Sequence, residues 1–308
     1  MTRFVARAVG LLGLILVLTA CAPDARPLSG ASPGVAITPD PAQAKKDAGD
    51  LYARGCASGY RGTVVHPCVF ADSATDGSPL VVAVGDSKTA QWVPTLQALA
   101  ARHHWKLITM TKSGCAFSDI HRVRVGKEYR TCISWNASAL QRVLALRPAL
   151  VVTTELDHYP TMVNGKPLKG AANRAEMVRG LSTRINRVKA AGIPVVTVAE
   201  TPRMGFDAAA CVQAHPGRPD VCSRPREQVL GGAGVVSAAA ERSGVPVIDL
   251  TSHFCSATTC PAVLGSLLVY RDDHHITATF ARSLAPSFEA GLQRGLTPAL
   301  AQELLTYS

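Results

Sequence analysis

Ser87, His275 and Asp272 carry the side chains that nucleophilic acyl transfer requires. Ser87 ends the stretch Val81-Val82-Ala83-Val84-Gly85-Asp86-Ser87, where an apolar run gives way to a helical pattern. A serine hydroxyl is a weak nucleophile. At a helix N-terminus it sits among free backbone N–H groups and the positive end of the helix dipole, and both favour a developing oxyanion. The same position suits a plain helix cap, formed by Asp86 or Ser87. A histidine near its ordinary pKa takes a proton from a serine hydroxyl at neutral pH. It needs an acid to fix its tautomer and stabilise its cation. Two histidines, His274 and His275, precede the last helical pattern, and taken alone they suit surface or capping chemistry as well; Asp272 stands three residues before His275, close enough in a turn to reach the same imidazole.

A scaffold has to bring these residues together. From Leu80 onward, short apolar runs alternate with helical patterns. The spacing predicts strands over 80–84, 105–111, 149–154, 195–199 and 247–250, with helices over 91–102, 135–146, 172–191, 226–243 and 277–294. Such alternation implies a three-layer α/β/α sandwich around a parallel sheet of about five strands. Parallel sheets of this kind place their sites at the carboxyl ends of the strands. Ser87, Gly114 and the loop after Thr154 then share one edge of the sheet, and the late loop with Asp272 and His275 has to return to it.

The chain of 308 residues is 47% apolar, enough for a sizeable core. Its 32 basic residues outnumber the 22 acidic ones, for a formal charge of +10. The excess is spread out, which suits anionic envelope polymers or lipid headgroups. No aromatic–basic pattern points to nucleic acid. Arg3 and Arg7 precede an apolar stretch over residues 8–18, followed by Thr19-Ala20-Cys21. This reads as a signal peptide over residues 1–21, with an apolar run shorter than the ~20 residues that span a bilayer. Leu18-Thr19-Ala20-Cys21 resembles a bacterial lipoprotein box, in which Cys21 carries the lipid that anchors the mature protein to the membrane. An ordinary secretory signal and an uncleaved anchor are the alternatives, and all three readings put the rest of the chain outside the cytoplasm. Residues 22–50, rich in Pro, Ala, Gly and Asp, read as a flexible tether ahead of one domain over 51–308.

Eight cysteines follow Cys21, an even number that suggests disulfides in an exported chain. Their spacing forms four close couples: Cys56–Cys68, Cys115–Cys132, Cys211–Cys222 and Cys255–Cys260. A zinc site is the rival reading, weakened by the lack of any C-x-x-C or H-x-x-x-H pairing. No metal or other cofactor is expected.

The order and content of these segments resemble the SGNH hydrolase superfamily, with its flavodoxin-like sheet. The match is closest to the SGNH-type domain found fused to bacterial acyltransferase-3 membrane proteins. Gly85-Asp86-Ser87 looks like the first block, with Ser87 as nucleophile. Thr111-Lys112-Ser113-Gly114-Cys115 looks like the second, whose glycine N–H joins the serine N–H in the oxyanion hole. Cys132 to Trp135 and Cys255 to Cys260 resemble further blocks. Tyr270-Arg271-Asp272-Asp273-His274-His275-Ile276-Thr277 looks like the last, with His275 as base and Asp272 as acid.

The chain also departs from that pattern. Lys88 follows the serine where the family often has histidine, and residues 155–159 hold no asparagine to complete the oxyanion hole. Lys88 and Glu155 are candidate substrate contacts. The resemblance implies a serine-dependent O-acyltransferase acting on an envelope glycan or glycolipid, with a separate membrane acyltransferase as acyl donor. An esterase with the same triad is the first alternative. A lipoprotein that binds the envelope without turnover is the second.

Overall fold

The structure, a computed structural model, describes Met1, residues 36–230 and residues 234–306. The expected leader with Cys21, and the tether as far as residue 35, lie outside the described residues. Seven strands build one sheet: β1 (Ala57–Ser58), β2 (Cys68–Phe70), β3 (Leu80–Gly85), β4 (Lys106–Lys112), β5 (Leu150–Thr153), β6 (Val195–Val198) and β7 (Val247–Ile248). Their order is β1-β4-β3-β5-β6-β7, with β2 beside β1 on the outer edge of β4. Every pairing is parallel except that of β2 with β4.

The apolar runs form these strands because both faces of a parallel sheet are covered. Successive residues of β3 alternate between two cores. Val81 and Ala83 face one core, with Leu107, Val152 and Val196 from neighbouring strands. Val82 and Val84 face the other, with Ile108, Val151 and Val195. The first core is closed by Leu96 and Leu99 of one helix and by Phe280, Phe288 and Leu292 from the C-terminal region. The second is closed by Trp135, Leu140, Met177, Leu181, Ile185 and Val236. These two covered faces are the outer layers of the expected α/β/α sandwich.

The helices that matter for the site are α1 (Ser87–Ala90), α2 (Val93–His103), α3 (Arg130–Leu146), α4 (Gly170–Lys189), α5 (Val235–Ser243), α6 (Ala278–Ser283), α7 (Ala285–Gly295) and α8 (Pro298–Leu305). The helix expected over 91–102 runs from Val93 to His103, with Pro94 in its first turn, after a separate short helix at Ser87–Ala90; the helix expected over 277–294 is divided and restarts at Ala285, where Pro286 takes the same place. A proline lacks the N–H that an unbroken helix needs and fits best in a first turn. The helix expected over 226–243 is present as Arg226–Leu230 and α5, and residues 231–233 lie outside the described residues. The α3 helix begins five residues early, at Arg130, because its polar first turn carries no apolar stripe to read.

Five strands were expected and all are present. β1 and β2 come from a stretch that reads as irregular, since elements of two or three residues show no period. They are ordered by pairing with β4 and by the Cys56–Cys68 bridge. All four expected disulfides are formed.

The tether boundary needs correction at its C-terminal end. Thr38 N–H donates to Ser266 O (2.8 Å), and Ala44 of the 3-10 turn Pro41–Lys46 is buried in the first core. Asp47 accepts the Thr279 N–H at the start of α6 (2.9 Å). These contacts dock residues 38–50 on the domain. No helix among the described residues is long and apolar enough to cross a membrane.

Candidate active site

The strand order reverses between β3 and β5, and an open α/β sheet has its crevice at such a point. Ser87 follows β3 there. Asp86 caps α1 by accepting the Lys88 N–H (2.8 Å), and its second oxygen accepts Leu156 N–H (3.2 Å) and the Tyr159 hydroxyl (2.5 Å). Burial pushes the Asp86 carboxyl up, and these three bonds pull it back. Asp86 therefore ties the serine turn to the loop after β5. Gly85 lets the two approach. A Cβ at Gly85 would lie 2.9 Å from Thr89 Cβ and 3.1 Å from Thr154 O. Thr89 Oγ1 already donates to that carbonyl (2.9 Å) and accepts the Thr154 N–H (3.1 Å).

The late loop is shaped by its own backbone and held by its neighbours. Tyr270 and Ile276 bridge, and Arg271 N–H donates to His275 O (3.0 Å). Asp272 Oδ1 accepts the N–H groups of His274 (2.9 Å) and His275 (2.7 Å). From outside, Lys88 Nζ donates to His274 O (2.6 Å), Ile276 N–H donates to Gln91 Oε1 (3.2 Å), and Met204 N–H donates to Asp273 O (2.8 Å). The segment that carries Ser87 thus also holds the loop that carries His275.

His275 Nε2 lies 2.8 Å from Ser87 Oγ, and its Nδ1 lies 2.8 Å from Asp272 Oδ2. Burial raises the Asp272 carboxyl, but the hydrogen bond and charge of His275 and two backbone N–H groups outweigh it. They hold Asp272 well below the usual carboxylate range. An ionised carboxylate only accepts, so Nδ1 carries the imidazole proton and Nε2 offers its lone pair to the serine hydroxyl. Burial lowers His275 to about 4, against the opposing pull of Asp272, so the ring is neutral at pH 7. This arrangement can accept a proton from Ser87 and hold the resulting imidazolium beside a carboxylate.

Gly114 ends the turn after β4, stapled by Cys115–Cys132. Its φ of +53° favours glycine. Among the described residues, neither the Ser87 N–H nor the Gly114 N–H donates to a protein acceptor.

The two expected substrate contacts are corrected. Lys88 is 1% exposed, and its ammonium is spent on Thr201 Oγ1 (2.8 Å), His274 O and Glu200 (3.5 Å). Burial pushes it down, and the Glu200 and Asp86 carboxylates pull it back up. Glu155 is fully buried, and neither of its oxygens has a hydrogen-bond partner. Burial, then Asp86, Asp157 and Glu200, push its carboxyl well up. Asp157 of the same loop faces the start of α5, accepting from Val235 N–H (3.1 Å) and Val236 N–H (3.3 Å).

Beside Lys88 and Glu200, a polar pocket of about 520 Å³ opens at the ends of β5, β6 and β7, lined by His158, Glu200, Thr201, Arg203, Arg226 and others. A larger cavity of about 870 Å³, between α3 and α4, contains none of the expected site residues. Asp272, His274 and His275 offer atoms close enough to share a cation, but the two rings already bond Asp272 and Asp273. In the similar group of Cys211, His215 and Cys222, the two sulfurs are joined to each other.

Known proteins were compared with this chain. No curated protein sequence matches it. Among solved structures, it resembles the periplasmic domain of a lipopolysaccharide acetyltransferase from Salmonella ser. Paratyphi A, at a TM-score of 0.61 and 14% identity, over 83% of this chain and 97% of that one. A GDSL-like lipase from Bacteroides thetaiotaomicron aligns at a TM-score of 0.43 and 14% identity, over 73% of this chain and 92% of that one. At 14% identity the likeness to the acetyltransferase domain is one of fold. The family model for the SGNH domain fused to AT3 domains matches residues 54–290, from just before β1 to within α7. That span takes in the sheet, the serine turn and the histidine loop, and by it the chain belongs to this SGNH domain family.

Proposed function

We propose that the chain is an extracytoplasmic serine O-acyltransferase acting on a cell-envelope glycan or glycolipid. The observation that carries this reading is the continuous set of hydrogen bonds from Ser87 Oγ through His275 to Asp272. His275 Nε2 takes the hydroxyl proton as Ser87 Oγ bonds to the ester carbonyl carbon of the donor. The N–H groups of Ser87 and Gly114 receive the oxyanion. Its collapse breaks the bond to the leaving alcohol, which takes the proton from His275, and the acyl group stays on Ser87. A sugar hydroxyl then gives its proton to His275 and attacks the acyl carbon; the bond to Ser87 Oγ breaks, and the serine takes the proton back from His275. Water in place of the sugar gives the esterase outcome.

The family's association with AT3 domains and the fold shared with an acetyltransferase domain support the transferase side. In this reading Cys21 carries the lipid anchor, and a separate membrane acyltransferase supplies the acyl group.

The test adds an aryl acetate to the chain, produced with its disulfides formed, and looks by intact mass for an adduct on Ser87. Ser87→Ala and His275→Ala are run beside it. An adduct or turnover that needs both residues supports the reading, and added glycan acceptors then separate transfer from hydrolysis. A folded protein with neither adduct nor turnover would instead favour an envelope-binding lipoprotein.

A further inference from the structure

Arg122 lies against Gly114. It belongs to the strand His121–Arg124, which joins Lys127–Glu128, Thr161–Val163 and Lys166–Pro167 in a small separate sheet. A Cβ built on Gly114 would lie 3.2 Å from Arg122 Cζ and closer still to Nη1. One C–C bond further on, the guanidinium carbon is within about 5 Å of the Gly114 Cα. Its Cζ sits 3.9 Å from the ring centre of Tyr159 and 5.5 Å from that of Tyr129. Tyr159 is the residue whose hydroxyl binds Asp86, next to the serine.

The guanidinium is charged and incompletely satisfied. Its Nε and Nη1 are buried without a hydrogen-bond partner, and among the described residues no carboxylate pairs with it. Arginine does not lose its proton in proteins. A cation held this way is costly, and tyrosine faces offset only part of the cost. The charge is therefore poised for an anion beside Gly114. An anion forms there during acyl transfer, while residues 155–159 contain no asparagine and Glu155 is buried.

We propose that Arg122 supplies positive charge to the oxyanion formed at Ser87, beside the Gly114 N–H. This rests on the serine reading above. The guanidinium is already in place before the ester arrives, so its interaction strengthens only as negative charge develops. Such a group acts on turnover more than on binding.

The test uses a neutral aryl acetate, so that no charge on the substrate can account for an effect. Arg122→Ala and Arg122→Gln are expected to lower kcat by about 100-fold with little change in KM. Arg122→Lys is expected to recover part of the loss, and added guanidinium ion to restore activity to Arg122→Ala. Ser87→Ala must be dead with and without guanidinium. If Arg122→Ala melts early, Arg122→Gln carries the comparison. A kcat within about threefold of the parent would overturn the proposal, as would a loss confined to KM. So would a loss that guanidinium leaves untouched and a lower melting temperature explains. If Ser87→Ala keeps full turnover, the serine reading falls and this inference with it; if only the Arg122 variants are unaffected, this inference alone falls.

Discussion

Asp272→Asn is the change that most sharply tests the roles assigned to the histidine loop. Asp272 Oδ1 accepts two backbone N–H groups, from His274 (2.9 Å) and His275 (2.7 Å). In the asparagine variant that place keeps the carbonyl oxygen, because an NH₂ group there would face two donors. The NH₂ group then faces His275 Nδ1, where the carboxylate stood at 2.8 Å. Two donors cannot share that contact, so the imidazole proton moves to Nε2. An Nε2–H points at Ser87 Oγ and has no lone pair to take its proton. The fold should survive, since both backbone donors keep an acceptor. Turnover should fall by about 10⁴-fold, or about 5 kcal/mol of transition-state stabilisation, with KM little changed. Steady-state hydrolysis of an aryl acetate, a burst measurement of acyl-enzyme and a melting curve provide the comparison. A variant that melts with the parent and turns over within tenfold of it would refute the assignment of Asp272.

Other perturbations test the supports of the site. Burial lowers His275 to about 4, and its neutral form is the base, so kcat/KM should hold as pH falls and halve near pH 4. A rate profile whose acid limb lies near the ordinary histidine value of ~6.5 would contradict that. Lys88→Met removes the ammonium from Thr201, His274 O and Glu200 and leaves Glu200, a largely buried carboxylate, with the Asp157 N–H and His158 alone, which should cost about 3–5 kcal/mol in a denaturant melt. A cost near zero would show that Lys88 does not hold the loop. Gly85→Ala drives a methyl group into Thr89 and should cost about 1–3 kcal/mol. Turnover should fall with it as the serine turn shifts from β5; a variant with the parent's melting temperature and rate would show that the turn has room to spare.

The supporting residues explain how much of the site was legible beforehand. Ser87, Gly114, Asp272 and His275 sit in short local patterns at the ends of strands and helices, so neighbours in sequence reveal them. The same local logic made Lys88 and Glu155 look like substrate contacts, since each follows a strand at the right edge. Their side chains instead turn into the protein, Lys88 toward Thr201 and the His274 carbonyl, Glu155 among buried carboxylates. Tyr159, Gln91 and Glu200 carried no signal, because each acts on a partner far away in the chain. Tyr159 reaches Asp86 across 73 positions, and Gln91 reaches Ile276 across 185.

The sequence by itself determined the layers, the parallel strands β3 to β7 and the four disulfide pairs. It could do so because apolar period, alternation of strand with helix and close cysteine spacing are local properties. Only the tertiary structure decided where helices break, which short segments join the edge of β4 and how far the N-terminal stretch is docked. It alone brought His275 Nε2 to Ser87 Oγ, because that contact depends on strand order folding a loop from position 275 back onto the turn at position 87. The burial that turns Lys88 inward, raises the Glu155 carboxyl and lowers His275 is likewise a property of the packed molecule, set by which side chains the other elements lay over them.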